Sequence, residues 1–136
     1  MDSLLSIYDK NEASKITEMI FEHLAHLTKS DVIKFSDQFI KDDDLNKLND
    51  ALLRLTSNCP VQYIIGETYF YNLTFKVNES VLIPRPETEE LVELIIKHIS
   101  TNNHVSKILE IGSGSGCIPV TIKKNCNDVE VTSVDI

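Results

Sequence analysis

Ile108-Leu109-Glu110-Ile111-Gly112-Ser113-Gly114-Ser115-Gly116 decides the fold class of this chain. An apolar run with a carboxylate near its end leads into three glycines at alternate positions. That order predicts a buried strand entering a tight loop that opens a helix. Glycine lets the backbone turn at positive φ and lets a ligand approach without meeting a Cβ. A helix start behind the loop offers N–H groups that have no partner within the helix. Together these features predict a nucleotide-type cofactor site at the carboxyl end of a parallel strand.

The glycine spacing narrows the cofactor. A dinucleotide fingerprint requires G-x-G-x-x-G. Here the third glycine falls one residue early, and Cys117 stands where that fingerprint would place it. The order acid-x-G-x-G-x-G resembles motif I of the class I S-adenosylmethionine (SAM) methyltransferases. SAM has no pyrophosphate, so the loop needs room for a methionine moiety, with acids for its amine and ribose. Asp135 is the second acid. It ends the alternating run Val129-Glu130-Val131-Thr132-Ser133-Val134-Asp135, about 20 residues after the loop, as expected of a carboxylate that grips ribose hydroxyls in a βαβ unit.

Length and composition bound the rest. The chain has 136 residues and a formal net charge of -8. This size suits one domain, or a small domain plus part of another. No apolar run approaches the ~18–20 residues that span a bilayer, and Met1–Asp9 carries acids where a secretory signal would carry bases. Cys59, Cys117 and Cys126 are odd in number and far apart. They fit neither a disulfide framework nor a zinc site and imply a reducing cytoplasm. Cys117, beside the loop, reads as a small packing residue, because no acid–base partner is visible. Nonspecific nucleic-acid binding needs Lys and Arg to neutralise phosphates, and the chain has no basic run. A basic protein partner suits its charge better.

Residues up to about Asn58 carry helical periodicity. Ile16, Met19, Ile20, Leu24 and Leu27 form one stripe. A second helix, capped at Ser30 or Asp31, is expected to carry Val32, Ile33, Phe35, Phe39 and Ile40. Asp42-Asp43-Asp44 favours a third helix start, with Leu45, Leu48, Leu52 and Leu55 as its stripe. The acid triplet reads as capping and solvation rather than a metal site. His23 and His26, three apart on one expected helix, lack ligand-spaced carboxylates or cysteines. Asn58-Cys59-Pro60 breaks the pattern. Tyr69–Val77 then reads as a β-hairpin turning near Asn72, preceded by a turn at Gly66. Pro84 and Pro86 hold Arg85 extended, and Pro86 opens a helix whose apolar face is Leu91, Val92, Leu94, Ile95 and Ile99. Ser100–Asn103 forms a polar break before the cofactor strand, and Pro119 falls in the first turn of the helix after the loop.

Pro60-Val61-Gln62-Tyr63-Ile64-Ile65-Gly66, the aromatic hairpin, Val81-Leu82-Ile83-Pro84-Arg85-Pro86-Glu87-Thr88-Glu89 and the Glu110–Cys117 loop occur in the order found in the HemK/PrmC family. These proteins are the peptide chain release factor N5-glutamine methyltransferases, and the resemblance spans essentially the whole chain. It implies an α/β protein: an N-terminal helical bundle, a β-hairpin linker, then the start of a Rossmann-like class I SAM-dependent methyltransferase domain with an incomplete parallel sheet. Residues 1–58 would be the helical substrate-recognition domain. Residues 59–83 would be the linker and hairpin, and 84–136 the start of the methyltransferase domain. The implied reaction is N5-methylation of the glutamine in the Gly-Gly-Gln motif of release factors, in the cytoplasm. Carried over by position, Gly112, Ser113, Gly114, Ser115 and Gly116 line SAM, and Asp135 binds the ribose hydroxyls. Glu110 orders the loop or reaches the methionine amine through water. Arg85 and Pro86 either fix the hairpin-to-helix corner or contact substrate or cofactor; the structural role is favoured.

The family holds its substrate amide with an Asn-Pro-Pro-Tyr motif after the fourth strand, and no such motif occurs in these residues. No catalytic residue is therefore assigned, and no metal is expected. An amide nitrogen is a poor nucleophile that needs orientation and polar preorganisation, so this chain alone is expected to be inactive. Two parallel strands make a poor sheet, which leads to the expectation of a truncated or split chain whose open edge promotes self-association. Three other readings compete: a noncatalytic partner-binding module, a methyltransferase for another protein or a small molecule, and a nicotinamide-dependent oxidoreductase. The glycine spacing disfavours the last.

Overall fold

The structure, a computed structural model, describes residues 4–102 and 104–136. The first three residues of the acid-bearing N-terminal stretch, and Asn103 of the polar break, lie outside the described residues. The chain forms two compact units, one ending at Ile65 and the other beginning at Gly66.

The first unit is helical. Helix α1 (Lys10–Ala25) starts at Asp9, whose carboxylate accepts from the N–H groups of Asn11 at 2.8 Å and Glu12 at 2.9 Å. Those are two of the four donors that a helix start leaves open. The helix ends where His26 takes a φ of 54°, so His26 and Leu27 lie beyond it. The expected i, i+3 histidine pair is therefore not on one helix face. Helix α2 (Lys29–Lys34) is capped by Thr28, not by Ser30 or Asp31. Asp31 is instead the third residue of a capping box: its N–H donates to Thr28 Oγ1 at 3.2 Å, and its carboxylate accepts from the Thr28 N–H at 3.0 Å.

The second helix is also shorter than its apolar residues suggest. Phe35, Phe39 and Ile40 lie past its end. Val32 and Ile33 are weak helix formers, and Ser36 and Asp37 compete for backbone hydrogen bonds. The chain turns instead, with the Gln38 N–H donating to the Phe35 carbonyl at 2.9 Å. Helix α3 (Asp42–Thr56) begins at the acid triplet as expected, and Lys47 reaches back to Asp43 at 2.7 Å and Asp44 at 3.3 Å. On its stripe Leu55 is buried and Leu48 and Leu52 pack alongside, while Leu45 is exposed. The best-buried residue of this helix is Ala51, which leucine counting does not reveal. Leu4, Ala13, Ile16, Ile20, Ala51 and Leu55 make the core of the unit. After Asn58, at a φ of 61°, a single turn, α4 (Val61–Ile65), occupies what reads in sequence as linker.

The second unit opens with Gly66 at a φ of 80°. Strands β1 (Glu67–Phe70) and β2 (Leu73–Lys76) pair antiparallel, with Phe70 opposite Leu73. Tyr71 and Asn72, at φ 48° and 60°, form the two-residue connection. Positive φ at both positions matches the type I′ turn that suits the strand twist. Phe70 and Phe75 pack edge to face, their centroids 6.2 Å apart. Helix α5 (Pro86–Thr101) starts at Pro86 as expected. It continues through Ser100 and Thr101, whose hydroxyls donate to the Lys97 carbonyl at 2.8 and 3.0 Å, so the polar break begins only at Asn102. Its core face is Val92, Ile95, Ile96 and Ile99, whereas Leu91 and Leu94 are exposed.

Strands β3 (Lys107–Ile111) and β4 (Glu130–Val134) pair in parallel around α6 (Cys117–Asn125), with Glu110 opposite Ser133. Pro119 stands in the first turn of α6. Phe70, Phe75, Val92, Cys117 and Ile122 form the core of this unit. On the other face of the small sheet, Leu109 and Ile111 are exposed. The observed architecture is thus a helical N-terminal part followed by mixed helix and strand that ends in a small parallel sheet.

Candidate cofactor-binding site

The loop between β3 and α6 has the geometry its glycines predict. Gly112, Gly114 and Gly116 have φ of 81°, 52° and 74°, the left-handed region that other L-residues avoid. A Cβ at Gly112 or Gly114 would meet nothing within 4 Å. Backbone conformation, not crowding, therefore demands glycine, and the loop surface stays open to a ligand. The loop is pinned at both ends. The Gly112 N–H donates to the Val134 carbonyl at 2.7 Å, tying the loop to the end of β4, and the Gly116 N–H closes onto the Ser113 carbonyl at 2.8 Å.

Both acids predicted from sequence stand at this loop. Glu110 sits in β3 one residue before the end of the strand, and its Oε2 accepts from the Ser133 hydroxyl across the sheet at 3.0 Å. Asp135 follows β4 directly. Its Oδ2 accepts from the Gly114 N–H and, at 3.4 Å, from the Ser113 hydroxyl. Its Oδ1 accepts from the Ile136 N–H at 2.9 Å. The Ile136 and Gly114 amides hold its carboxyl below the ordinary carboxylate range, so the group is ionised at neutral pH. The fold thus brings Glu110, the five loop residues and Asp135 together.

Cys117 begins α6 and is buried in the core; burial pushes its thiol up, and the charge on Glu110 acts in the same direction. A protonated thiol in a packed position is consistent with a packing residue and opposite to an activated nucleophile. Arg85 is the N-cap position of α5, its carbonyl accepting from the Thr88 N–H at 3.0 Å, and Pro86 is the first helical residue.

Two features of the site pair elements whose approach no sequence pattern reveals. Glu89 Oε1 accepts from the Tyr71 N–H at 2.8 Å, tying the hairpin turn to the first turn of α5. The far end of the hairpin reaches the glycine loop: a pocket of about 360 Å³ is lined by Gly66, Lys76, Val77 and Asn78 on one side and Gly114 and Ser115 on the other. Strand alternation marks Lys76 as exposed but does not show what lies opposite.

A helical unit, a hairpin, and a strand–glycine loop–helix–strand unit ending in an acid make up the opening part of a methyltransferase-type α/β fold. Comparison with known proteins agrees. Residues 3–66 match the PrmC N-terminal domain family. The chain is 42% identical over 139 residues to the release factor glutamine methyltransferase of Flavobacterium psychrophilum, covering 100% of this chain and 48% of that protein. The corresponding protein of Streptococcus pneumoniae is 38% identical over 129 residues, covering 93% of this chain and 45% of the relative. That of Bacteroides thetaiotaomicron is 37% identical over 134 residues, with 98% and 47% covered. Residues 3–66 are thus similar to the PrmC N-terminal domain, and the chain aligns with the N-terminal half of release factor glutamine methyltransferases. It spans about half the length of the curated relatives it matches. Among the described residues no helix is long and apolar enough to cross a membrane.

Proposed function

We propose that this chain forms the N-terminal part of a SAM-dependent enzyme that methylates the N5 atom of glutamine in the Gly-Gly-Gln motif of peptide chain release factors. The observation that carries this reading is the loop of three positive-φ glycines between β3 and α6, with Asp135 held against Gly114, in a chain that matches relatives of that name along its length. Residues 1–58 would engage the release factor, 59–83 connect, and 84–136 open the Rossmann-like cofactor domain. The substrate would place the protein in the cytoplasm.

In this reading SAM supplies an electrophilic methyl group on a sulfonium. The chain's own residues bind and orient. The open faces of Gly112 and Gly114 admit the methionine moiety without a Cβ in the way. Asp135, ionised and fixed by the loop, accepts from ribose hydroxyls. Glu110, held by Ser133, keeps the loop entrance ordered and presents a negative charge toward the amine. None of these groups activates a glutamine amide, so transfer by the 136-residue chain alone is not expected.

The test is methyl transfer from labelled SAM to a release factor, with the full-length gene product that carries this sequence. Label on the glutamine of Gly-Gly-Gln, lost when that residue is changed, supports the reading. Label elsewhere, or thermal stabilisation by NAD and not by SAM, overturns it.

A further inference from the structure

The helical unit carries an apolar groove of about 410 Å³, lined by Phe21 and Ala25 of α1, Val32 of α2, Phe35 and Ile40, with Phe39 at its rim. Residues Ser36–Ile40 cross beside it between two fixed ends. At one end Phe35 caps α2: its N–H donates to the Asp31 carbonyl at 2.8 Å, and the Lys34 ammonium lies 5.1 Å from the centroid of its ring. At the other end the Lys41 carbonyl accepts from the Leu45 N–H at 2.9 Å as α3 begins. Between these ends the Gln38 N–H donates to the Phe35 carbonyl at 2.9 Å, and among the described residues no other hydrogen bond holds Ser36–Ile40. Ser36, Asp37, Gln38 and Phe39 are all exposed, and Phe39 buries none of its surface, at 102% exposure. A weakly held stretch thus keeps a whole phenylalanine in water at the edge of an apolar groove.

We propose that Ser36–Ile40 form a strap with two positions, seen here open, and that in the closed position the Phe39 ring enters the groove beside Phe21 and Val32. Burial of a phenylalanine side chain favours closure by about tenfold or more in population, before the lost freedom of the strap is counted. The two ends stay in place, and closure puts Phe39 on the apolar side with Val32 and Phe35, where its spacing in the sequence expects it. The strap then competes for the groove. A partner segment that docks there must displace the chain's own ring, and its affinity is reduced by the fraction of protein that is open. The inference concerns the helical unit alone and stands apart from the cofactor reading above.

The 136 residues contain no tryptophan, so an indole at this position reports the strap. In the full-length gene product, the emission of Phe39→Trp minus that of the parent protein isolates it. The new indole is expected to emit to the blue of free N-acetyltryptophanamide and to be quenched by acrylamide at least about threefold less, as a mainly closed strap requires. Val32→Asp, at an exposed position on the groove wall, places a charge where the ring would enter and is expected to return both readouts toward the free values. Thermal unfolding gives a readout without the indole: Phe39→Ser is expected to lower the midpoint. Emission and quenching equal to those of the free indole in folded protein overturn the proposal, as does protection that Val32→Asp leaves unchanged. An unchanged or raised midpoint in Phe39→Ser overturns it as well.

Discussion

Glu89 accepts a hydrogen bond from the Tyr71 N–H at 2.8 Å, joining residues 18 positions apart in sequence. Tyr71 stands at the tip of the hairpin with a φ of 48°, a conformation costly for a residue with a Cβ. A free-standing two-stranded hairpin is marginal in water. Here the carboxylate satisfies a turn amide and sits in the first turn of α5, where the dipole favours an anion. Glu89→Ala is expected to destabilise the protein by about 1–2 kcal/mol, the scale of a charge-assisted bond. Glu89→Gln, which keeps the acceptor, should cost less than half of that. Urea unfolding of the three proteins measures the difference; equal stability of Glu89→Ala and the native chain would rule out the anchor.

Thr121 offers the opposite case. It is fully buried in α6, and its hydroxyl has no hydrogen-bond partner among the described residues. A buried unsatisfied group carries its full desolvation penalty, so an apolar replacement of the same shape removes that cost. Thr121→Val is expected to raise stability by about 1 kcal/mol. Thr121→Ser keeps the hydroxyl and loses a methyl, and should lower it. Thermal unfolding of both variants distinguishes these outcomes by sign.

The helical unit should lose stability at the acid end through two carboxylates. Asp31 is held below the usual carboxylate range by the Thr28 hydroxyl and N–H, and Glu18 by its bond to Lys29. Both are lowered in the folded state, so their contribution is complete above the ordinary carboxylate value near 4 and is lost as pH falls through the depressed folded values. Asp31→Asn should flatten the acid limb of the stability profile below about pH 4, with little change in its slope at neutral pH. Circular dichroism melts between pH 2 and pH 7 measure that slope. An unchanged acid limb would show that the box carboxylate is not linked to folding.

These positions show which parts of the structure could be read from the sequence. The glycine loop was legible because its chemistry is local: three glycines, an acid before and an acid after fix backbone conformation and strand order together. The turn at Asn72 and the helix start at Pro86 were legible for the same reason. Helix ends were not. Val32, Phe35, Phe39 and Ile40 read as one stripe, yet the chain turns after Lys34 because the weak helix formers Val32 and Ile33 and the polar Ser36-Asp37 pair outweigh apolar spacing. Ala51 was invisible as a core residue, since its burial reflects helix approach rather than hydrophobicity. Glu89 belongs to a contact between elements far apart in sequence, and periodicity within either element contains no trace of its partner.

The exposed face of the small sheet predicts how the 136-residue chain behaves alone. Leu109 and Ile111 are 63% and 81% exposed, side by side on β3, with Val134 on the neighbouring strand half exposed. Contiguous apolar surface of this kind, on strands whose outer edges pair with no other strand among the described residues, promotes association. Sedimentation at tens of micromolar is expected to show oligomers that shift toward monomer in Leu109→Lys and Ile111→Lys. Monomeric native chain at these concentrations would refute the expectation.

Asp135 provides the sharpest test of the cofactor site because its charge and its hydrogen bonds can be separated. Asp135→Asn keeps an acceptor for the Gly114 N–H and Ser113 hydroxyl but removes the negative charge, whereas Asp135→Ala removes both. If the carboxylate grips ribose hydroxyls, SAM affinity in the full-length gene product should fall about 10-fold in Asp135→Asn and more in Asp135→Ala, since charged acceptors make the stronger bonds. The pH profile adds a second readout. The Ile136 and Gly114 amides hold the carboxyl below its ordinary value of 3.8. Its contribution to affinity should therefore stay constant from neutral pH down to about pH 4 and fall only as the group gains a proton. The native-to-Asn affinity ratio, measured by calorimetry at several pH values, should follow the same course. A ratio near one at neutral pH would mean that Asp135 serves only to hold the loop. A ratio that declines between pH 7 and pH 5 would assign the titrating group to another residue.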